Sequence, residues 1–179
     1  MWTGCIYAEK EPAVLQKITP HLWFADEAEE AARFYASIFP DSHVDRVTSS
    51  PADSPSGPAG SVVIVDFTLC KQKFTAISAG PLEPFNHAIS FVVNCKDQAE
   101  IDRYWDALLN GGSAEQCGWL KDSYGVSWQI VPAQLDEMLS DSDPAKVERV
   151  FAVMLQQKKL DLVPLVAAYQ DVNTVPAGT

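Results

Sequence analysis

Glu30–Tyr35 reads EAARFY and Glu100–Trp105 reads EIDRYW, the same glutamate, arginine and aromatic pair at an offset of 70 residues. The likeness runs on: Ile38-Phe39 falls over Leu108-Leu109. In both copies the apolar residues recur at i, i+3, i+4, i+7, as Ala31, Phe34, Tyr35, Ile38 and as Ile101, Tyr104, Trp105, Leu108. That is the stripe of a helix laying one face on a core. A helix repeated at fixed offset marks a supersecondary unit present twice, each copy covering an apolar face.

Working outward, each copy reads strand, helix, then three strands. In the first, KITPHLWF is a strand whose Pro20 cannot donate to a ladder, which places it at an edge or module boundary. Asp26, with Glu29 three residues on, has the pattern of an N-cap, and Phe39-Pro40 ends the helix. His43–Ser49, Ser61–Leu69 and Phe74–Ala79 follow as strands, with Cys70–Lys73 as a turn and the Pro/Gly/Ser-rich stretch Pro51–Gly60 as a loop. Gly80–Asn86 reads as a linker. In the second copy His87–Asn94 is the strand, Asp97 opens the helix, and the three strands are the Ser113–Cys117 region, Trp119–Asp122 and Val126–Val131. The expected division is an N-terminal extension at 1–16, modules at 17–80 and 87–132, helices at 133–170 and a tail at 171–179. Within 133–170, Ser142 or Asp143 caps a helix with Pro144 in its first turn and a stripe of Val147, Val150, Phe151, Met154 and Leu155. Leu162–Tyr169 is a second helix, Pro164 again in the first turn. These helices pack on the module they follow or cover a partner chain.

Composition narrows the classes. An apolar fraction of 47% over 179 residues supports a packed core. A formal charge of −11 with no basic patch argues against nucleic acid and anionic membrane as partners. There is no apolar run of membrane-spanning length and no signal-peptide layout, so a cytoplasmic protein is expected. Cys5, Cys70, Cys95 and Cys117 form no C-x-x-C and read as reduced thiols, Cys70 and Cys95 as small buried residues.

Strand alternation assigns the faces. In CGWLKDSYGVSWQIVP, Cys117–Pro132, a tight polar turn at Lys121–Gly125 joins two strands; Ser127, Gln129 and Val131 share one face, and Val126, Trp128 and Ile130 the other. Gln129 sits where a pocket's main polar group belongs. Lys121 and Asp122 read as a solvated turn pair. On Ser61–Leu69, Asp66 and Thr68 lie opposite Val63, Val65, Phe67 and Leu69; Thr19, His21 and Trp23 share a face of the first strand, and Ser90 lies on the first strand of the second copy. Trp23, Trp119, Trp128, Phe91 and Tyr124 are candidates to line an apolar cavity, with Trp128 and Phe91 on the helix side. Thr19, His21, Trp23, Asp66, Thr68, Ser90 and Gln129 are thus the candidate ligand-binding residues. His21 and Asp66 are weak catalytic candidates, as a proton shuttle and a burial-raised base.

Two tandem βαβββ units with ITPHLWF, EEAARFYASIFPDS, AISFVVNC and GWLKD-x-x-G-x-SWQ-x-VP resemble the PhnB-like group of the vicinal oxygen chelate superfamily, whose members often carry the label 3-demethylubiquinone-9 3-methyltransferase. The resemblance implies an α+β fold with a cup-shaped mixed sheet, helices outside it, C-terminal helices, and a homodimer that can exchange modules. In chelating relatives, histidines on the first strand of each module and a glutamate on the last hold a divalent ion. The matching positions here are Thr19, Ala88 and Gln129, with His87 turned to the opposite face from Ala88, so no metal is expected. No G-x-G-x-G and no alternating βα series accompany the methyltransferase label, so no cofactor is expected either. The reading is a protein that takes a small, partly apolar organic ligand. The alternatives are a metal-dependent lyase, isomerase or dioxygenase, an S-adenosylmethionine-dependent transferase, and a sequestering protein of the resistance type.

Overall fold

The computed structural model describes residues 16–171, which fall into two compact units, 16–82 and 83–171. Met1–Leu15 and the tail beyond 171, including Cys5, lie outside the described residues. Each unit is one βαβββ module, and the second carries three further helices.

The first module runs β1 (His21–Phe24), α1 (Ala28–Ile38), β2 (His43–Ser49), β3 (Val63–Leu69) and β4 (Gln72–Ser78). Its sheet order is β1-β4-β3-β2, with β1 parallel to β4 and the other pairs antiparallel. Pro20 precedes β1, which lies at the sheet edge as its proline requires. The core lies between α1 and one sheet face: Ala31, Tyr35, Val65, Phe67 and Ala76 are fully buried, and Phe67 stacks on Phe74 at 5.3 Å. Asp26 is not the cap of α1. The cap position is Glu27, which makes no side-chain cap bond, and the first free N–H, that of Ala28, donates to the Ser78 hydroxyl at 2.9 Å. A β4 side chain supplies what sequence-local capping does not. Thr19 precedes β1 and is exposed. Cys70, expected buried, is exposed: with Lys71 it forms the two-residue β3–β4 turn, both at positive φ (46° and 67°). A hairpin this tight needs that conformation, and residues at its tip face solvent.

The second module repeats the plan: β5 (Phe91–Cys95), α2 (Gln98–Leu109), β6 (Ser113–Ala114), β7 (Trp119–Lys121) and β8 (Ser127–Pro132), in the order β5-β8-β7-β6. The whole α2 stripe, Ile101, Tyr104, Trp105 and Leu108, is buried, against Leu120, Trp128 and Ile130 of the sheet. Asp97 caps α2 through its own carboxylate, 2.9 Å from the Glu100 N–H. Cys95 is buried here, and burial pushes its thiol up to about 12. The expected strand His87–Asn94 is shorter at its start. The Asn86 carboxamide accepts the Ala88 N–H at 2.8 Å, which holds residues 87–89 in a turn and leaves β5 to begin at Phe91.

The turn between β7 and β8 overturns a second expectation. Asp122 is 3% exposed and organises the loop: one carboxylate oxygen accepts the N–H groups of Tyr124 and Val126 (2.9 and 3.0 Å), the other the Trp128 indole N–H (2.8 Å). An aspartate that satisfies three donors is buried because it is fully paired. Gly125, at φ +86°, closes the turn.

The helix α3 (Leu135–Leu139), which periodicity over so few residues does not reveal, precedes α4 (Pro144–Leu155) and α5 (Leu162–Gln170). Asp143 caps α4 through the Ala145 N–H. Leu135, Met138, Val150, Leu160 and Leu165 make their core, with Val131 of β8 packed against it. Only part of the α4 stripe is covered, since Phe151 and Leu155 are 48% and 45% exposed. The α4–α5 segment is fastened to the module: Gln157 and Lys158 carbonyls accept the Cys117 and Gly118 N–H groups, Gln98 bonds the backbone of Leu160 and Leu162, and Lys159 pairs with Asp102 and Asp106. Gly118 is required at this seam, because a Cβ there would stand 2.7 Å from the Ile130 carbonyl oxygen.

Candidate functional site

In each module one sheet face is covered by its helix, and the other carries the candidate polar residues. On the first module the register sets His21, Thr75, Asp66 and Arg46 in one row across β1, β4, β3 and β2. Arg46 donates twice to one Asp66 oxygen (3.0 and 2.6 Å) and Thr75 to the other (3.2 Å). His21 is exposed and separated from Asp66 by the β4 strand, about 10 Å at ordinary strand spacing, so the two do not form a dyad. At Asp66, expected as a base, a guanidinium and a hydroxyl occupy both oxygens of a carboxylate that is 30% exposed. Thr68 is 4% exposed, and its hydroxyl donates to Asp45 at 2.8 Å. A bulge between Val44 and Arg46 frees Asp45 for this role. Burial alone would push the Asp45 carboxyl up, but hydrogen bonds from Lys73 and Thr68 outweigh it and hold the group below its usual range. Trp23 donates its indole N–H to the Gly80 carbonyl at 2.9 Å.

The second module differs. Gln129 lies mid-strand in β8, flanked in register by Trp119 of β7 and by Val92 of β5, which is 52% exposed. Its carboxamide N–H donates to the Ser90 hydroxyl at 2.8 Å, and its oxygen takes no bond among the described residues. Ser127, two residues earlier on the same face, is 1% exposed, and its hydroxyl has no partner among the described residues. Such a group is costly to leave unpaired. Beside Trp119, at 5.9 Å between ring centres, stands His87, whose Nδ1 is 3.3 Å from a Glu115 oxygen. The Glu115 N–H bonds the Trp119 carbonyl at 2.9 Å, which ties this pair to the same strand. Strand alternation places His87 away from the Gln129 face. The turn at 87–89 instead brings it to Trp119, a neighbour of Gln129. Phe91 and Trp128 pack together at 5.3 Å on the helix side and belong to the core.

Of the seven candidate ligand residues, His21, Trp23, Asp66 and Thr68 belong to one face of the first module and Ser90 and Gln129 to one face of the second, while Thr19 precedes its strand. Sequence places His87 and Ser127 on strand faces without proposing them as ligand-binding residues, and does not pick out Glu115. Counting back from the Lys121–Gly125 turn gives the register that pairs Trp119 with Gln129; the turn that delivers His87 has no such signal beyond Asn86.

The sequence model of a family described as 3-demethylubiquinone-9 3-methyltransferase matches residues 16–131, through both modules. The chain belongs to that family. It is PhnB-like, and its two βαβββ modules have the fold of vicinal oxygen chelate proteins. It is 35% identical to the PhnB protein from Bacillus cereus, whose structure covers 66% of this chain and all of its own, with a TM-score of 0.58. A protein from Pseudomonas aeruginosa is 23% identical and covers 65% of this chain and 96% of its own (TM-score 0.50). The fosfomycin resistance protein FosX from Mesorhizobium loti is 15% identical and covers 69% and 96% (TM-score 0.50). These last two share the fold. No protein of curated function matches.

The divalent ion held by chelating relatives does not fit the residues here. Thr19 offers a hydroxyl, Ala88 a methyl group, and Gln129 a neutral amide already bonded to Ser90. Among the described residues no three His, Cys, Asp or Glu side chains gather into a group that could hold a metal. Among them, too, no helix is long and apolar enough to cross a membrane. Open grooves of about 470 and 390 Å3 lie along the C-terminal helices, the first against Pro144, Val147 and Phe151, the second against Leu162 and Val166, apart from the Gln129 face.

Proposed function

We propose that this chain binds a small, partly apolar organic molecule on the Gln129 face of its second module, without a bound metal. The supporting observation is the position of Gln129 between Trp119 and Val92, its N–H fixed by Ser90 and its oxygen open. A rigidly held carboxamide between apolar walls orients a ligand by hydrogen bonding. It supplies no charge, so recognition without chemistry is the first reading, and a homodimer of the 19.6 kDa chain completes it. Neither sheet is the parallel series that carries the dinucleotide-type cofactor site of Rossmann methyltransferases, so the family description does not extend to such a site here.

A thermal-shift screen over metabolites and divalent metals tests this. A ligand at about 100 times its Kd stabilises by about 2.7 kcal/mol, a rise of about 5–10 °C for a chain of this size. Hits are expected to raise the melting temperature of the wild type and to lose that effect in Gln129→Ala, with metals alone inert and S-adenosylmethionine at millimolar concentration giving no calorimetric heat. A shift retained in Gln129→Ala refutes the site. A metal-induced shift lost in His21→Ala replaces the proposal with a metal-dependent enzyme. Recovery of the ligand unchanged distinguishes sequestration from turnover.

A further inference from the structure

We infer that the molecule taken by the Gln129 face is a flat, uncharged ring carrying a hydroxyl or amine hydrogen-bond donor, laid on Trp119 within reach of His87 and Gln129. This rests on the binding reading above and names the ligand class. The hydrogen-bonding atoms left open on this face carry the argument. Gln129 keeps an unused carbonyl oxygen, an acceptor. His87 directs Nδ1 at Glu115, 3.3 Å away. A carboxylate facing Nδ1 favours the imidazole tautomer with its proton there, which leaves Nε2 as an acceptor with no partner among the described residues. Both acceptors neighbour Trp119: His87 against its ring at 5.9 Å, and Gln129 directly across the β7–β8 ladder. Residues opposite each other in such a ladder have Cβ atoms about 5 Å apart. A flat molecule on the half-buried Trp119 ring would stack on its π surface beside both.

Charge selects further. Glu115 beside His87 disfavours an anion there, as does the −11 balance of the chain. Lys121 is a cation on this face, two residues from Trp119, and would favour an anionic ligand. Two acceptors and an adjacent carboxylate outweigh one half-exposed ammonium, and a neutral donor-bearing ring is favoured.

The test uses three probes of one shape, 2-naphthol, its methyl ether 2-methoxynaphthalene, and 2-naphthoate, with the full chain in mildly alkaline buffer. Binding is read from the Trp119 indole and Gln129 carboxamide signals in nitrogen–proton NMR spectra. Naphthol is expected to bind about tenfold more tightly than its methyl ether, the factor one hydrogen bond supplies, and more tightly than naphthoate. His87→Phe, which keeps a ring against Trp119 and sits at a half-exposed position where folding is safe, is expected to abolish the preference while leaving methoxynaphthalene bound. Equal binding of naphthol and its ether, or a preference that survives His87→Phe, overturns the inference and leaves the metabolite screen to judge the binding reading. Tighter binding of naphthoate overturns the choice of a neutral ligand. If no probe moves the Trp119 and Gln129 signals, the ligand class is wrong even where the screen finds another ligand at Gln129.

Discussion

The two modules have one topology and put their hydrogen bonds to opposite uses. On the open face of the first, Arg46 and Thr75 occupy both oxygens of Asp66, Lys73 and Thr68 hold Asp45, and the Trp23 indole is bonded to Gly80. On the corresponding face of the second, the Gln129 oxygen, the His87 Nε2 and the buried Ser127 hydroxyl have no partner among the described residues. The hairpins differ in the reverse sense. The first module turns between β3 and β4 on Cys70 and Lys71 alone, and the second turns between β7 and β8 around a buried carboxylate. The first module closes its polar face on itself and leaves its turn to backbone geometry. The second fixes its turn rigidly and leaves polar atoms of that face without partners among the described residues, the arrangement expected of a preorganised binding surface.

The largest test of that contrast is Asp122→Ala. It leaves the N–H groups of Tyr124 and Val126 and the Trp128 indole without their acceptor. Buried donors orphaned from a charged acceptor cost about 3 kcal/mol together. Urea unfolding should show a loss of that size, and the Gln129 side-chain signals should broaden as β8 loses its anchored start. A loss below about 1 kcal/mol would mean the turn holds without its carboxylate, and the contrast between the hairpins would collapse.

Asp122 also shows what sequence does and does not convey. Periodicity exposed the repeat, both core helices and the alternation in β3 and β8, because these follow from local spacing on one element. The α2 stripe was legible residue by residue, and all four members are buried. Asp122 in a polar turn looks identical in sequence whether its carboxylate faces water or three donors, since the donors come from a fold that spacing does not describe. His87 escaped for a related reason. Alternation holds only within a strand, and the Asn86 turn holds His87 outside β5. Of the candidate site, Gln129 could be found because its address is set by one hairpin. The Glu115–His87 pair could not, since it depends on where a linker meets a short strand.

The helix caps give a second, smaller comparison. Ser78 reaches from β4 to the Ala28 N–H, whereas Asp97 caps α2 from within its own chain segment. Removing either side chain to alanine should cost about 1 kcal/mol, the usual value of a cap. The consequences should differ in reach. Ser78→Ala breaks a link between strand and helix and should raise amide exchange in both β4 and α1. Asp97→Ala should raise it in the first turn of α2 alone. Protection factors from hydrogen exchange decide this, and equal, local effects at both sites would show that Ser78 acts as an ordinary cap.

The smallest effect concerns the helices that only the second module carries. The Tyr169 hydroxyl and the Asp143 backbone N–H hold the Asp141 carboxyl down at about 2, against 3.8 for the unperturbed group, with Lys146 adding to the effect. A carboxyl with a lowered folded-state value contributes stability that is complete above the unfolded value and is lost as pH falls through the folded one. The loss should therefore occur between about pH 4 and pH 2, and nothing should change near neutrality. Tyr169→Phe removes the largest cause, so the Asp141 titration should move upward and the window should narrow from its acid end. The Asp143 N–H and Lys146 remain, which keeps the carboxyl below 3.8. Carbon-detected NMR titration of the Asp141 carboxyl measures this directly, and a midpoint unchanged in Tyr169→Phe would show that the α5 tyrosine does not hold the α3–α4 turn.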